Sequence, residues 1–358
     1  MLFGKQLIRA FGHYILFMAA IGATLLSLYL AKKIMILRAI AIFYFSGTLV
    51  IPLLLGSLGI YQFTARHNRR SGIAKIFLSF LCLGMFVYIT LIEPINIQIE
   101  RRTFFHPYVT ETITLIHISD IQSNDVGCYE KKIFEILKSI PGDIILHTGD
   151  LVQPFYFTGY DVSRYEPELV KLAKLFRELQ PRYGIYNVVG DTEIISKVSL
   201  FDNLSGVKTL QDMSVKVTTP GGVLNILGLK VKHSRYVENK IISSWLNQAD
   251  ANQVKILIGH APDYIAMVAD LGIDLCLAGH THGGQIFLPG LGPLFASTTL
   301  PKRWARGFHC IGSTYFNVSA GIGVSHAWGL PPMRFLCPPA ITIIDIQPQP
   351  KKKVCKNL

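Results

Sequence analysis

Hydrophobic positions change their pattern along the chain near residue 97. Before that point they form three long apolar runs without Asp, Glu, Lys or Arg, at residues 11–31, 39–61 and 76–92. At about 1.5 Å of rise per helical residue, each run is long enough to cross a hydrocarbon layer roughly 30 Å thick, the third only just. The pattern predicts a membrane region over residues 1–97 with about three transmembrane helices. Buried helices of a soluble core are the less favoured alternative, because basic loops separate the runs.

Charges and cysteines bear on which side of the membrane the rest of the chain occupies. One side carries six basic residues: Lys5, Arg9, Arg66, Arg69, Arg70 and Lys75. The other side carries five: Lys32, Lys33, Arg38, Arg101 and Arg102. The positive-inside rule weakly places the carboxyl-terminal domain outside the cytoplasm, but a difference of one charge leaves the orientation open. The cysteines show no disulfide framework, which favours a reducing compartment: Cys82, Cys128, Cys276, Cys310, Cys337 and Cys355.

After residue 97 short apolar segments alternate with amphipathic ones. We interpret residues 98–112 as a linker, 113–348 as one α/β domain and 349–358 as a basic tail. The strand-like segments are 113–119, 143–148, 183–189, 254–258 and 273–278, and the helical ones are 130–140, 165–180 and 262–270. This alternation predicts parallel strands joined by crossover helices, with ligands bound at the carboxyl ends of the strands.

Polar residues accumulate at those strand ends. The five ends read "SDIQ" (119–122), "TGDLV" (148–152), "VGDTE" (189–193), "IGHAPD" (258–263) and "AGHTHGGQ" (278–285). A single Asp or His after a strand is usually a turn former or a helix cap. Five such ends on one sheet edge would bring several carboxylates and imidazoles close together. These groups would repel one another or be poorly solvated unless they held metal ions. By contrast, His117 and His147 lie within apolar strands and are predicted to be packed core residues.

These five segments, in this order, resemble the calcineurin-like metallophosphoesterase family over about residues 113–346. The stretch "GHTHGGQIFLPGLGP" (279–293), with the later "VSAGIGVSHAWGLPPMRFLCPPAITII", is similar to its membrane-associated YkuE- and LpxG-like branch. The resemblance implies a two-sheet sandwich flanked by helices, with two divalent ions between the strand ends. It also implies that Asp120 and His282 bind the first ion, that His260 and His280 bind the second, and that Asp150 bridges both.

Three positions depart from the family pattern. Gln122 and Asp191 stand where the family usually has histidine and asparagine, and Thr192 stands where it has a second histidine. Gln122 and Asp191 still offer oxygen ligands, so the expected metal ligands are Asp120, Gln122, Asp150, Asp191, His260, His280 and His282. Asp150 and Asp191 are also the expected catalytic residues. This oxygen-rich set predicts Mn²⁺ or another hard ion rather than zinc. Thr192 cannot act as an acid near pH 7.

Two loops, at residues 153–165 and 300–308, can each be interpreted in two ways. Residues 153–165 carry five aromatic side chains, and residues 300–308 combine Lys302, Arg303 and Arg306 with Trp304. Such loops could gather an acyl chain and an anionic head near a bilayer, because aromatic residues and arginine suit an interface and a phosphate. They could equally be anchors packed under the sheet.

The resemblance to the LpxG-like branch implies a membrane-anchored pyrophosphatase of lipid A biosynthesis. It would cleave UDP-2,3-diacylglucosamine to UMP and 2,3-diacylglucosamine 1-phosphate. The expected partners are a nucleotide-linked lipid and the membrane, with no nucleic acid, and the expected location is the inner membrane as a multi-pass protein, with the cytoplasmic face favoured by that substrate. The alternatives are a phosphoesterase of phospholipids or other phosphate esters and a degenerate, non-catalytic metal-binding module. Retention of all five implied ligands argues against the last.

Overall fold

The computed structural model describes residues 2–31, 36–153, 155–156, 159–325 and 331–350. Lys32, Lys33, Cys355, the tail from residue 351 and parts of the 153–165 loop lie outside the described residues. The chain forms two compact units. The first consists of Met1–Pro94, Phe155–Tyr160 and Ser325–Met333, and the second of Ile95–Pro154, Asp161–Val324 and Arg334–Leu358.

The first unit is built from apolar helices. They are α1 (Leu2–Leu30), α2 (Ile36–Phe45), α3 (Ile51–Thr64) and α4 (Arg69–Val87), with π-helical turns at Ser46–Val50 and Tyr88–Ile92. Three continuous helical stretches are long and apolar enough to cross a membrane: Gly4–Leu30, Arg38–Thr64 and Arg69–Ile95. The three predicted apolar helices are therefore confirmed, and they are consistent with membrane association.

Small residues and exposed apolar side chains characterise this helical unit. α3 and α4 approach closely at Gly59 and Gly72, where a Cβ on either residue would lie 2.7 Å from the carbonyl oxygen of the other. Close contacts of this kind are typical of helices packed in a bilayer. Outward-facing Leu16, Leu54 and Phe80 are 68%, 65% and 72% exposed, which is costly in water and favourable against lipid.

The second unit is a two-sheet sandwich with flanking helices. The strands of the chain are β1 (Gln98–His106), β2 (Ile113–Ile118), β3 (Ile144–His147), β4 (Phe155–Tyr156), β5 (Gly159–Tyr160), β6 (Ile185–Asn187), β7 (Lys208–Thr209), β8 (Met213–Thr219), β9 (Gly222–Gly228), β10 (Val254–Ile258), β11 (Leu275–Ala278), β12 (Phe287–Leu288), β13 (Gly292–Pro293), β14 (Gly307–Ile311), β15 (Thr314–Val318) and β16 (Ala340–Pro348). The helices are α5 (Cys128–Ser139), α6 (Val162–Arg177), α7 (Val198–Ser205), α8 (Val231–Arg235), α9 (Asn239–Gln248) and α10 (Ile265–Val268).

The two large sheets have the orders β1-β16-β2-β3-β6-β7 and β14-β15-β11-β10-β9-β8. Within them β2, β3, β6 and β7 run parallel, as do β9, β10, β11 and β15. Their inner faces share one buried apolar core, to which Leu115 and Leu146 contribute from one sheet and Ile256 and Leu277 from the other. The predicted α/β sandwich is confirmed, and its parallel strands bring their carboxyl ends to one edge of each sheet.

Residues 98–112 are not a simple linker, because they contain β1. This strand pairs in parallel with β16 along its whole length, from Gln98 opposite Ala340 to His106 opposite Pro348. Arg101 forms two hydrogen bonds with Asp345, at 2.5 and 3.0 Å. The strand lies at the sheet edge and is mostly exposed, with burial only toward its end. Its sequence therefore lacks the apolar alternation that predicts a strand.

Removing residues 1–97 is expected to release the chain from membranes while leaving the sandwich folded. The reason is that every strand of both large sheets begins at or after Gln98. Membrane fractionation and a thermal melt followed by circular dichroism measure the two effects.

A longer deletion, of residues 1–107, provides the control because it also removes β1. The loss of buried Phe104 and of the Arg101–Asp345 pair should lower the melting temperature by about 10 °C relative to the shorter deletion. Aggregation of the 98–358 chain would contradict independent folding of the sandwich. Equal melting temperatures of the two fragments would contradict a stabilising role of β1.

Candidate metal centre

The residues predicted as ligands converge at the carboxyl ends of the strands. Asp120 follows β2, Asp150 follows β3, Asp191 follows β6, His260 follows β10, and His280 follows β11. Their ligand atoms form two groups, each within 4.8 Å: Asp120 with Asp150 and His260, and Asp191 with His260 and His280. His260 belongs to both groups, so the two sets of ligand atoms adjoin.

The other two predicted ligands extend the first group. His282 Nε2 lies 3.6 Å from Asp120 Oδ1. Gln122 donates a hydrogen bond from Nε2 to Asp150 Oδ2 at 2.5 Å. All seven residues are therefore part of one connected cluster, and the pairing of His282 with Asp120 and of His280 with His260 follows the implied ligand sets. The bridging role of Asp150 stays a prediction.

The backbone is left-handed at most of these positions. The φ angles are 52° at Asp120, 41° at Gln122, 62° at Asp150, 68° at His280 and 49° at His282. Positive φ is uncommon for residues other than glycine and persists where the surroundings over-determine it, as at binding sites. The concentration of such residues here supports a functional origin for the strain.

Two glycines allow the strand ends to approach each other. A Cβ on Gly279 would lie 1.9 Å from Ser119 Oγ and 2.2 Å from Asp120 Oδ2. A Cβ on Gly190 would lie 2.2 Å from Asp150 Oδ1. Neither position can accept a side chain without moving a predicted ligand.

His260 has the hydrogen-bonding pattern of a metal-binding imidazole. Its Nδ1 donates to the backbone carbonyl of Thr148 at 2.7 Å, which directs Nε2 toward the carboxylates. Nε2 lies 3.4 Å from Asp150 Oδ1 and 3.6 Å from Asp191 Oδ2. A second hydrogen bond that fixes tautomer and ring orientation is the usual support of a ligand histidine.

Several buried atoms of the cluster have no hydrogen-bond partner among the described residues. They are Gln122 Oε1, His260 Nε2 and both ring nitrogens of His282. Leaving such an atom unsatisfied costs about 1–3 kcal/mol. Burial, with the nearby charge of Arg334, lowers the pKa of His282 to about 3, so this ring is neutral and can offer a lone pair. These residues fit divalent ions, which would use the unsatisfied atoms.

Charges in the cluster favour a cation at its centre. Burial opposes the charged form of His260, but the surrounding Asp150, Asp191 and Asp120 carboxylates outweigh it and raise the pKa of His260 well above its usual range. Burial also opposes ionisation of Asp150 and Asp191, yet their histidine neighbours hold the pKa of both below its usual range. For Asp120 burial dominates and raises its pKa to about 6. The cluster thus stabilises positive charge placed among its carboxylates.

The turn at residues 189–193 supports Asp150 as well as supplying Asp191. The backbone N–H of Thr192 donates to Asp150 Oδ1 at 3.0 Å, and its hydroxyl lies 3.3 Å from the same oxygen. Glu193 accepts hydrogen bonds from the N–H groups of Gly190 and Leu151 at 2.7 and 2.6 Å. Burial and the nearby Asp150 raise the pKa of Glu193 to about 8. The sequence did not lead to a prediction of this role for Glu193, although a second acid in the turn could have indicated it.

Two arginines near the cluster were also not predicted as residues of the site. Arg334 is fully buried and donates to the carbonyls of Cys337, Ala320, Gly321 and Gly323 at 2.6–3.2 Å. It thereby shapes the loop whose Gly323 N–H contacts the Asp120 carbonyl. Arg235 Nη2 lies 2.7 Å from Asp191 Oδ2 and 3.2 Å from His280 Nε2. A single arginine in a loop or a short basic helix gives no sequence signal for either role.

The other histidine and loop predictions have clear outcomes. His117 and His147 are fully buried, with hydrogen bonds to Thr148 at 3.0 Å and Asn187 at 2.6 Å, which confirms them as core residues. In the 300–308 loop, Trp304 packs edge-on against buried Phe316, with ring centroids 5.4 Å apart, which favours the anchor interpretation there. The side chains of residues 154–160 lie outside the described part of the structure.

Comparison with known proteins places these features in context. Residues 113–284 match a model of the calcineurin-like phosphoesterase family. The chain is 28% identical to the uncharacterized metallophosphoesterase YkoQ of Bacillus subtilis over 218 residues, covering 59% of this chain and 76% of that protein. It is 25% identical to the uncharacterized metallophosphoesterase YkuE of B. subtilis, covering 74% and 90%. It is 32% identical to phosphodiesterase YaeI of Escherichia coli, covering only 27% and 34%.

Mn²⁺ added to the chelator-treated full-length chain in detergent should raise its melting temperature by about 5–10 °C at a hundredfold excess over the dissociation constant. The ion would pair with buried carboxylates that otherwise oppose each other. Differential scanning fluorimetry measures the shift.

His260→Ala should remove most of this shift, because His260 belongs to both ligand groups. His309→Ala is the matched control, since His309 contacts the Arg306 carbonyl rather than the cluster. An equal Mn²⁺ shift in both variants would rule out His260 as a ligand.

Proposed function

Because residues 113–284 match the calcineurin-like phosphoesterase family model, we propose that the chain, a metal-dependent phosphohydrolase, cleaves the pyrophosphate bond of UDP-2,3-diacylglucosamine. One water is consumed and the bond from one phosphorus to the bridging oxygen breaks. The products are UMP and 2,3-diacylglucosamine 1-phosphate, each a phosphate monoester. This reaction would be a step of lipid A biosynthesis.

The observation that carries the choice of a pyrophosphate is the environment of Thr192. Its hydroxyl and N–H are directed at Asp150, and threonine has no acidic proton near pH 7. A phosphate monoester, with a second pKa of about 6, leaves as a stable anion without a proton donor. An alkyl alcohol needs general-acid help worth about a hundredfold or more. The site therefore suits a substrate whose leaving group is itself a phosphate.

The proposed ligand sets assign the remaining roles. Two divalent ions, for which we propose Mn²⁺, would polarise phosphoryl oxygens and activate water when bound. Asp120, Gln122 and His282 would hold one ion, Asp191, His260 and His280 the other, and Asp150 both. Thr192 and Gln122 orient the Asp150 carboxylate through hydrogen bonds to its two oxygens. Glu193 fixes the backbone on either side of it, at Gly190 and Leu151.

The apolar helices support a lipid-linked substrate. Three helical stretches long enough to cross a bilayer precede the catalytic unit, and a diacylated substrate resides in such a bilayer. We place the protein in the inner membrane as a multi-pass protein, with its catalytic unit on the cytoplasmic face, where a nucleotide-linked substrate is expected. Its proposed partners are that lipid and the membrane.

The second candidate is a phosphoesterase that cleaves phospholipids or other phosphate esters. The similarity to YkuE over most of both chains and to a protein named phosphodiesterase favours it. Both candidates use the same cluster and differ in the leaving group.

The deciding experiment incubates the purified, Mn²⁺-loaded full-length protein with UDP-2,3-diacylglucosamine and detects the products by mass spectrometry. The proposal expects UMP and 2,3-diacylglucosamine 1-phosphate in equal amounts. Cleavage of a phospholipid without release of UMP would instead establish the second candidate.

Asp150→Ala should reduce hydrolysis to less than a tenth of the wild-type turnover while the protein stays folded, because Asp150 belongs to the first group of ligands and contacts His260, which belongs to both. Turnover and circular dichroism are measured together. Asp250→Ala is the control, since Asp250 pairs with Lys216 and Gln253 away from the cluster. Retention of more than a tenth of the turnover in Asp150→Ala would refute its assignment.

The wild-type enzyme should cleave nucleotide diphospho-sugars well and alkyl phosphomonoesters about a hundredfold less efficiently. Thr192→His should change the first activity little, because a phosphate leaving group needs no acid. Initial rates on UDP-glucose and on glycerol phosphate, compared between the two proteins, provide the measurement. A wild-type preference for glycerol phosphate would remove the argument for a pyrophosphate.

A further inference from the structure

A short basic helix places Arg235 beside the second group of ligands. α8 ends at Arg235, whose Nη2 contacts both Asp191 and His280. The side chain is 45% exposed. Among the described residues both of its polar contacts are made by Nη2, which leaves the donors on Nε and Nη1 available to a further acceptor.

Contacts on both sides hold this helix in place. Asp212 accepts a hydrogen bond from the Lys230 N–H at 3.0 Å and lies 2.8 Å from His233 Nδ1. Ser234 is fully buried, and its hydroxyl accepts a hydrogen bond at 3.1 Å from the N–H of Ala261, the residue after His260. The helix is thus attached to the loop that carries a predicted ligand, and the position of Arg235 relative to the cluster is defined.

The negative charge of Asp191 explains why a cationic side chain beside it would help to bind a phosphate. Asp191 carries a negative charge where the family pattern has a neutral asparagine, and a phosphate approaching it would be repelled. Thr192 provides no positive charge in compensation. Arginine is charged at every relevant pH and binds phosphate oxygens through parallel N–H groups.

We propose that Arg235 is a substrate-binding residue that holds a phosphoryl oxygen of the substrate beside Asp191 and His280. This rests on the proposed function only in taking the substrate to be a phosphate ester. Nη2 keeps Asp191 neutralised, and the free donors of the same guanidinium bind the anion. Arg235 would thus supply part of the electrostatic stabilisation that the missing histidine provides elsewhere in the family.

The test uses the full-length, Mn²⁺-loaded protein in detergent and three variants: Arg235→Ala, Arg235→Lys and Lys232→Ala. Lys232 is the matched control, because it is a basic, exposed residue of the same helix. Titration calorimetry measures the affinity for inorganic phosphate. Steady-state rates on bis(4-nitrophenyl) phosphate give KM and kcat, and elemental analysis gives the Mn²⁺ content.

Arg235→Ala should weaken phosphate binding by about tenfold or more and raise KM similarly, since a hydrogen bond to a charged group is lost. Arg235→Lys should be intermediate, and Lys232→Ala should match the wild type. The Mn²⁺ content should stay constant. Phosphate affinity within twofold of the wild type in Arg235→Ala would overturn the proposal, and so would loss of Mn²⁺, which would show a role in supporting the ligands.

The two proposals fail separately. If the wild-type protein cleaves none of the phosphate esters tested, the proposed function fails. The calorimetric comparison of phosphate affinities would still decide whether Arg235 binds the anion.

Discussion

The hydrogen bond from His260 Nδ1 to the carbonyl of Thr148 is the contact on which the site depends. Thr148 follows β3 of one sheet and His260 follows β10 of the other, so the bond joins the two layers of the sandwich. It directs Nε2 toward Asp150 and Asp191. The Asp120 carboxylate makes a second connection of this kind, since it accepts the His280 N–H at 3.0 Å. The polar groups of the candidate metal centre therefore also join the sheets.

This double role explains how the left-handed backbone at the ligands is maintained. Strained residues persist only where neighbouring structure over-determines them. The Asp120 N–H donates to the Gly149 carbonyl, and the Asp120 carbonyl accepts from the Gly323 N–H. Gly323 lies in a loop that buried Arg334 shapes through its hydrogen bonds to the loop carbonyls. Folding stability and ligand geometry are consequently coupled, and a change that relaxes one of these loops moves a predicted ligand.

Much of this arrangement could be predicted from the sequence because it follows a repeated local pattern. An apolar strand followed by glycine and an acid or histidine recurs along the chain, and parallel strands bring such ends together. The family resemblance added the pairing of ligands, which no spacing could have supplied. Edge strand β1 was missed because it buries little. Glu193, Arg235 and Arg334 were not predicted as residues of the site, because their contacts with it depend on tertiary neighbours and not on sequence periodicity.

The departures from the family pattern become consistent when their charges are considered together. Gln122 in place of histidine changes no charge at neutral pH, whereas Asp191 in place of asparagine adds a third carboxylate to Asp120 and Asp150. Two divalent ions would exceed these three carboxylates by one positive charge, and Arg235, 2.7 Å from Asp191, adds another. Burial and the nearby Asp150 favour the neutral form of Glu193 by raising its pKa to about 8. The proposed pyrophosphate substrate carries two negative charges, which would balance the two positive charges of such a site, whereas a singly charged phosphodiester would balance only one.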